Sequence, residues 1–285
     1  MDQISSLIVA VCLMLIMLGM GLSLTVQDFQ RIAYKPKAVL VGLLNQLIFL
    51  PIIGFALAKG MDLDSPIAIG IMILAACPGG ATSNLIAHLA KGDTALSVTL
   101  TAIASVVTIF SIPVIIHFSI LEFASADEEI NINAAQMIGQ LFAVVIIPVA
   151  IGMLVKRRKP DFALRMDKPV RTASGILLAL VTVALIIKER ENIVPFFEQA
   201  GLATILLNVS TIGLGFLTAR LARLSPKQGL SIAIESGIQN SALAMTIAAV
   251  TLQNTSFGIA GAIYTLVMYA SALVIIVMSK RIRSA

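Results

Sequence analysis

Nine stretches that carry almost no charge divide the chain, at approximately 4–26, 36–58, 66–90, 94–121, 132–155, 170–187, 199–219, 228–252 and 256–279. A helix needs about 20 predominantly apolar residues to cross the roughly 30 Å hydrocarbon layer of a bilayer. All but the sixth stretch meet that length. The sixth has 16 strictly uncharged residues, Thr172–Ile187, and needs Lys188 to reach back to the interface. Unpaired backbone groups are too costly at that depth for open strands or loops, so the spans are expected to be helices. A soluble domain carries roughly 25% charged residues, whereas this chain has 12% charged and 58% apolar residues and a mean hydropathy of +0.99. The expectation is an all-α membrane protein of nine transmembrane helices embedded in a lipid bilayer, the cell (inner) membrane for so compact a chain, with no soluble domain.

The basic residues give that arrangement a direction. All but Lys59, Lys188 and Arg190 of the 20 Lys and Arg fall in alternate connections and at the C-terminus, the longest cluster being Lys156, Arg157, Arg158, Lys159, Arg165, Lys168 and Arg171. Cytoplasmic loops hold such an excess, which predicts an external N-terminus and a cytoplasmic C-terminus. Asp62, Asp64, Glu122, Asp127, Glu128, Glu129, Glu189 and Glu191 lean to the other side. The net charge of +5 is therefore a consequence of topology, and no nucleic-acid partner is expected. Met1 to Val26 lacks a basic leader and an Ala-x-Ala site, and is expected to be a retained helix. Cys12 and Cys77 sit in apolar segments and suggest no disulfide framework; His88 and His117 are too few for haem or zinc chemistry.

Two spans are interrupted. Pro78-Gly79-Gly80 falls in the middle of 66–90, and Gly237 lies within 228–252 between Glu235 and Gln239-Asn240. Proline removes a helix hydrogen bond, and glycines leave a break uncovered. Polar residues flank both sites: Thr82, Ser83 and Asn84 in one, Glu235 to Ser241 in the other. Glu235 is the only charge between Gln228 and Ser279, and a carboxylate at bilayer depth costs at least about 2.5 kcal/mol unless it has a partner or a role. Paired interrupted segments in the two halves of a chain point to an inverted-repeat transporter with a midplane site. The expected units are 1–121, with four helices, and 132–279, with five, each carrying Leu-Leu-Asn one span before its break (Leu43-Leu44-Asn45 and Leu206-Leu207-Asn208). The N-terminal copy is then expected to lack the first helix of the repeat.

Several groups are candidates to meet Glu235. Ser97 and Thr101 share one helix face at i, i+4. Asn45 and Gln46 precede Pro51, and Ser83 and Asn84 follow the first break. A lone Ser or Thr in a membrane helix more often bonds its own backbone, and a lone Gln is as readily packing glue. Together these residues form a set of hard oxygens with one carboxylate, which suits a small monovalent cation such as Na⁺ over Ca²⁺. Half-helix N-termini at the same depth suit an anion.

Pro78-Gly79-Gly80-Ala81-Thr82-Ser83-Asn84, Gly92-Asp93-Thr94-Ala95-Leu96-Ser97, Glu235-Ser236-Gly237-Ile238-Gln239-Asn240-Ser241 and the opening Gly19-Met20-Gly21-Leu22 with Asp28-Phe29 resemble the bile acid:sodium symporter family over essentially the whole chain. The resemblance implies a ten-helix inverted-repeat fold with core and panel domains, here in the nine-helix form whose first helix is absent. It implies one sodium site from Ser83, Asn84, Ser97, Thr101 and Glu235. A second would use Gln46, Glu235 and Gln239 with the backbone carbonyls of Ser236 and Ile238. Substrate would lie near Thr82 and Asn240, with Ala81 standing where members can carry Thr.

The expected function is sodium-coupled import of an organic anion, such as a bile acid or a small carboxylate of pantoate or keto-acid type. No cofactor beyond the coupling ion is expected. A proton-coupled carrier using Glu235 and a channel are the alternatives; a channel calls for polar stripes along several helices. His-Glu-x-x-His, Walker and Gly-x-Ser-x-Gly sequences are absent, so no enzyme is expected.

Overall fold

The computed structural model describes residues 3–125, 133–188 and 193–284. Its helices are α1 (Gln3–Ser23), α2 (Val26–Tyr34), α3 (Pro36–Leu44), α4 (Leu50–Gly60), α5 (Ser65–Ala76), α6 (Ala81–Leu89), α7 (Thr94–Phe123), α8 (Ala134–Leu141), α9 (Ile147–Arg158), α10 (Pro160–Lys188), α11 (Ile193–Leu221), α12 (Pro226–Gly237), α13 (Ser241–Thr246) and α14 (Ile259–Ser284). Five helical stretches among the described residues are long and apolar enough to cross a membrane: Pro36–Gly60, Thr94–Phe123, Ala134–Arg158, Ala200–Leu221 and Ser256–Ser279. They become six if Leu7–Ser23 and Val26–Tyr34, bent by 62°, count as one span. Asp127, Glu128, Glu129, Glu189, Arg190 and Glu191 lie outside the described residues.

Two long spans continue through a widened turn. Asn45–Phe49 joins α3 to α4 and Phe142–Ile146 joins α8 to α9, each with π-type bonding just before Pro51 or Pro148. Proline has no amide to donate and crowds the carbonyl four residues back, and an i+5 turn accommodates both defects without breaking the rod.

Three expectations need adjusting. The first connection contains a helix, α2, opened by Thr25, whose amide and hydroxyl each donate to the Asp28 carboxylate at 2.7 Å. The basic stretch after α9 is not a loop, because α10 begins at Pro160, where proline suits a helix start, and runs on through Pro169. Gly237 is the last helical residue of α12, and the second break is Ile238–Asn240.

The helices fall into two packed groups. α1 packs against α9 and α10. Contact between α1 and α9 is close because Gly21 faces the Val149 carbonyl and Gly152 faces the backbone of Leu18 and Leu22. The other group contains α3 to α7, α11, α12 and α14. At its centre α5 is buried on every side from Ile67 to Ala76, as are all residues of α13. Lys35 pairs with Asp93 at 3.1 Å at one end of α7, and Lys59 with Glu122 at 2.5 Å at the other, so α3–α4 and α7 run side by side.

The glycine contact gives a test of the α1–α9 seam. Gly152→Val forces a side chain into the Leu18–Leu22 backbone and should destabilise the protein by about 1–3 kcal/mol. Gly213→Ala, with nothing within 4 Å of the new methyl, should leave stability unchanged or slightly raised. Thermal unfolding of the two purified variants checks both.

Candidate functional site

The two breaks meet. Gly79 and Gln239 form an isolated antiparallel bridge, and the Asn240 amide donates to the Pro78 carbonyl at 2.9 Å. Each break exposes carbonyls that a continuous helix would have used, and each exposed carbonyl inside a membrane protein needs a donor. The Cys77 carbonyl takes Gln46 Nε2 at 2.9 Å, and the Gly80 carbonyl takes Ser83 Oγ at 2.7 Å.

Glu235, 3% exposed, sits where the crossing faces α7. Ser97 Oγ donates to Oε1, and Thr101 Oγ1 donates to Oε2 at 2.9 Å. The same two hydroxyls lie 2.9 and 3.1 Å from Asn84 Oδ1. A hydroxyl has one proton to give, so two protons face four acceptor contacts. Ser83 Oγ and Glu235 Oε2 both flank the bare Cα of Gly79, where a side chain would strike the carboxylate. Glycine is required here by close approach.

A second cluster adjoins the first. Gln46 Nε2 donates to Gln239 Oε1 at 2.7 Å, and Gln239 Nε2 to the carbonyls of Ser236 at 2.8 Å and Glu235 at 3.2 Å. Gln46 Oε1 is buried and has no hydrogen-bond partner. Ile238 is fully buried, its amide bonded to the Ile234 carbonyl at 2.8 Å. The widened turn at Asn45–Phe49 carries Gln46 to this cluster. Asn45 does not join it: its Nδ2 donates to the Val41 carbonyl and to Thr218 Oγ1, both at 2.8 Å.

Two clefts of about 320 Å³ each open beside the crossing, between the two helix groups. Ala81, Thr82, Gln239 and Asn240 line the first; Ala81, Asn84 and His88 line the second; Ser174 of α10 lies on both. Asn240 caps α13, its Oδ1 accepting from the Leu243 amide at 3.0 Å. The first wall is mostly apolar, with Ile16, Met17 and Leu178 among its residues, which suits a solute with a polar end and an apolar body.

Apolar spans enclosing a carboxylate, its hydroxyl partners and open clefts define an integral membrane protein with an interior polar site, the class to which solute transporters belong. Residues 10–196, more than half of the chain, match the family model of the Sodium Bile acid symporter family, and the chain belongs to that family of transporters. It is 33% identical over 84% of its length to an uncharacterized sodium-dependent transporter, YocS, of Bacillus subtilis, covering 73% of that protein. It is 31% identical over 82% of its length to a probable chloroplastic sodium/metabolite cotransporter, BASS2, of rice, of which it covers only 54%. The human ileal sodium/bile acid cotransporter is 28% identical over 87% of this chain and 70% of its own.

Two further residues belong to the site: Asn208, which the sequence marks only through Leu-Leu-Asn, and Tyr264, which it does not mark. The Gly237 carbonyl, freed by the second break, accepts from Asn208 Nδ2 at 2.7 Å and from the Tyr264 hydroxyl at 2.8 Å. Both side chains are fully buried. Asn208 thus does at one break what Gln46 does at the other, although Leu-Leu-Asn aligns it with Asn45. A buried tyrosine in the last apolar span reads as packing until its hydroxyl is placed. Tyr264→Phe should cost about 1 kcal/mol of stability by removing one of two donors, and Asn208→Ala about 1–3 kcal/mol. Melting temperatures equal to wild type would remove both from the bracing of this break.

Proposed function

We propose that the protein is a sodium-coupled symporter that imports an organic anion, a bile acid or a small carboxylate of pantoate or keto-acid type. The observation that carries the reading is the surplus of oxygens over protons around Glu235. A monovalent cation supplies the missing positive charge, and oxygen ligands around one carboxylate match Na⁺ in charge and hardness. Ser83, Asn84, Ser97, Thr101 and Glu235 hold one ion. Gln46, Glu235, Gln239 and the carbonyls of Ser236 and Ile238 hold a second, a reading supported by the buried, unpartnered Gln46 Oε1.

In this reading the ions hold the two breaks against each other, and the anion binds above them near Ala81, Thr82 and Asn240, where the first cleft reaches the crossing. Differential binding of the solute to the ion-loaded crossing couples the two flows. Residues 1–121 and 132–279 form opposed repeats within a nine-span arrangement, with the N-terminus outside and the C-terminus in the cytoplasm of an inner-membrane protein. The core group then moves against α1, α9 and α10, closing and opening the clefts around a fixed site. The names of the relatives, a sodium-dependent transporter and sodium cotransporters of a metabolite and of bile acid, agree with this coupling.

Uptake into proteoliposomes under an imposed sodium gradient, with a proton gradient as the parallel arm, tests the proposal. Glu235→Gln should reduce sodium-driven uptake to background while the protein still inserts and folds; normal sodium-driven uptake by this variant refutes the site. Thr101→Ala removes one ion ligand and should raise the half-saturating Na⁺ concentration about fivefold, equivalent to roughly 1 kcal/mol. Uptake driven by protons alone, with no response to Na⁺, replaces the sodium reading.

A further inference from the structure

We propose that the groove between α2 and the end of α9 is a binding site for one anionic phospholipid, which seats the α1–α9–α10 group in the membrane. The groove has a volume of about 740 Å³ and shares no lining residue with the two clefts at the crossing. Leu24, Val26, Met153 and Leu154 form its apolar wall, and Lys156 and Arg157 stand at its charged end. Among the described residues no acidic side chain lines it. The acidic side chain of α2, Asp28, is engaged by the Thr25 amide and hydroxyl. An apolar wall ending in two cations is complementary to an acyl chain ending in a phosphate.

The two cations differ in their bonds. Lys156 Nζ donates to the Ser23 carbonyl at 2.6 Å, which ties α9 to the end of α1 and fixes that ammonium at the groove. Arg157 is exposed and forms no hydrogen bond or ion pair with the described residues, so its guanidinium is available for bidentate contact with a phosphate.

Placement at a bilayer surface follows from the same elements. The most apolar stretch of the Ala134–Arg158 span is only 28% buried, against 44% to 61% in the other four long spans. Its wide exposed face, including Ile147, Ile151 and Leu154, ends directly in Lys156, Arg157 and Arg158. The surface of α9 therefore changes from apolar to cationic within one turn, the pattern expected where a span meets the headgroups. The helix α2 turns away by 62° at the same level and leaves Val26, Ile32 and Tyr34 exposed at 54%, 47% and 81%. A short helix with such apolar exposure, set across the end of a span, lies along an interface. Clustered cations beside a span attract anionic lipids, and a phospholipid satisfies the groove's charge and its apolar wall at once.

Native mass spectrometry of the purified full chain, delipidated from bilayers containing equal phosphatidylglycerol and phosphatidylcholine, tests the site. Wild type should retain phosphatidylglycerol about fivefold over phosphatidylcholine, the preference one cation supplies. Arg157→Gln should bring the ratio close to one, and Arg157→Lys, which keeps the charge and loses the bidentate fork, should give a ratio between the two. Met153→Trp, which fills the apolar wall and leaves both cations, should also lower retention. Glycerol phosphate alone should neither bind nor raise the melting temperature. Equal retention of the two lipids by wild type overturns the proposal, as does retention indifferent to both Arg157→Gln and Met153→Trp. Stabilisation by glycerol phosphate equal to that by the lipid, or a dimer mass with no bound lipid, assigns the groove to a free anion or to a second copy instead.

Discussion

One buried carboxylate sets the terms for the rest of the molecule. Glu235 at 3% exposure has lost nearly all contact with solvent, and the surrounding protein must replace it. The hydroxyls of Ser97 and Thr101 do so from α7, and Asn84 adds a further oxygen from α6. Those contacts require two helices to break and cross at the same place, because an unbroken rod would keep its backbone groups internal and hold the other break at side-chain distance. Gly79 is bare for the same reason: its Cα approaches the carboxylate too closely for a side chain.

The two breaks are braced differently. At the Gly237 carbonyl, Asn208 and Tyr264 supply two protein donors from α11 and α14. At the first break, Gln46 bonds both the Cys77 carbonyl and Gln239, while its own oxygen is left without a donor. Asn208 Oδ1 is buried without a donor as Gln46 Oε1 is, so the amide that braces each break keeps an open acceptor. Of the two, Gln46 Oε1 is the one carried by a side chain that bonds Gln239, beside the cluster around Glu235. The clefts beside the crossing belong to the boundary between the two helix groups, so a shift of α1, α9 and α10 changes access to the site without dismantling it.

Much of this was legible before the chain was folded. The interrupted spans, the lone carboxylate and the i, i+4 pair Ser97 and Thr101 are visible as departures from an apolar background, where each polar residue is conspicuous because it is expensive. Less could be read where the background was already polar or where packing gave the meaning. The helix α2 was hidden in a charged connection, and α10 starts inside a basic stretch. Asn45 and Gln46 are neighbours of similar chemistry, and the widened turn sends Gln46 to the crossing and Asn45 to Thr218.

The sequence by itself determined that the chain is helical and membrane-embedded, that two of its spans are interrupted, and which acid lies among the apolar residues of one of them. These are local properties, decided by the cost of charge and of unpaired backbone along a single dimension. Only the tertiary structure decided which distant groups share a site. Glu235 meets Ser97 across 138 residues and Gln46 meets Gln239 across 193, while Tyr264 reaches Gly237 by its hydroxyl alone. Such meetings depend on helix rotation and close approach, and periodicity within one helix carries no record of what stands opposite it.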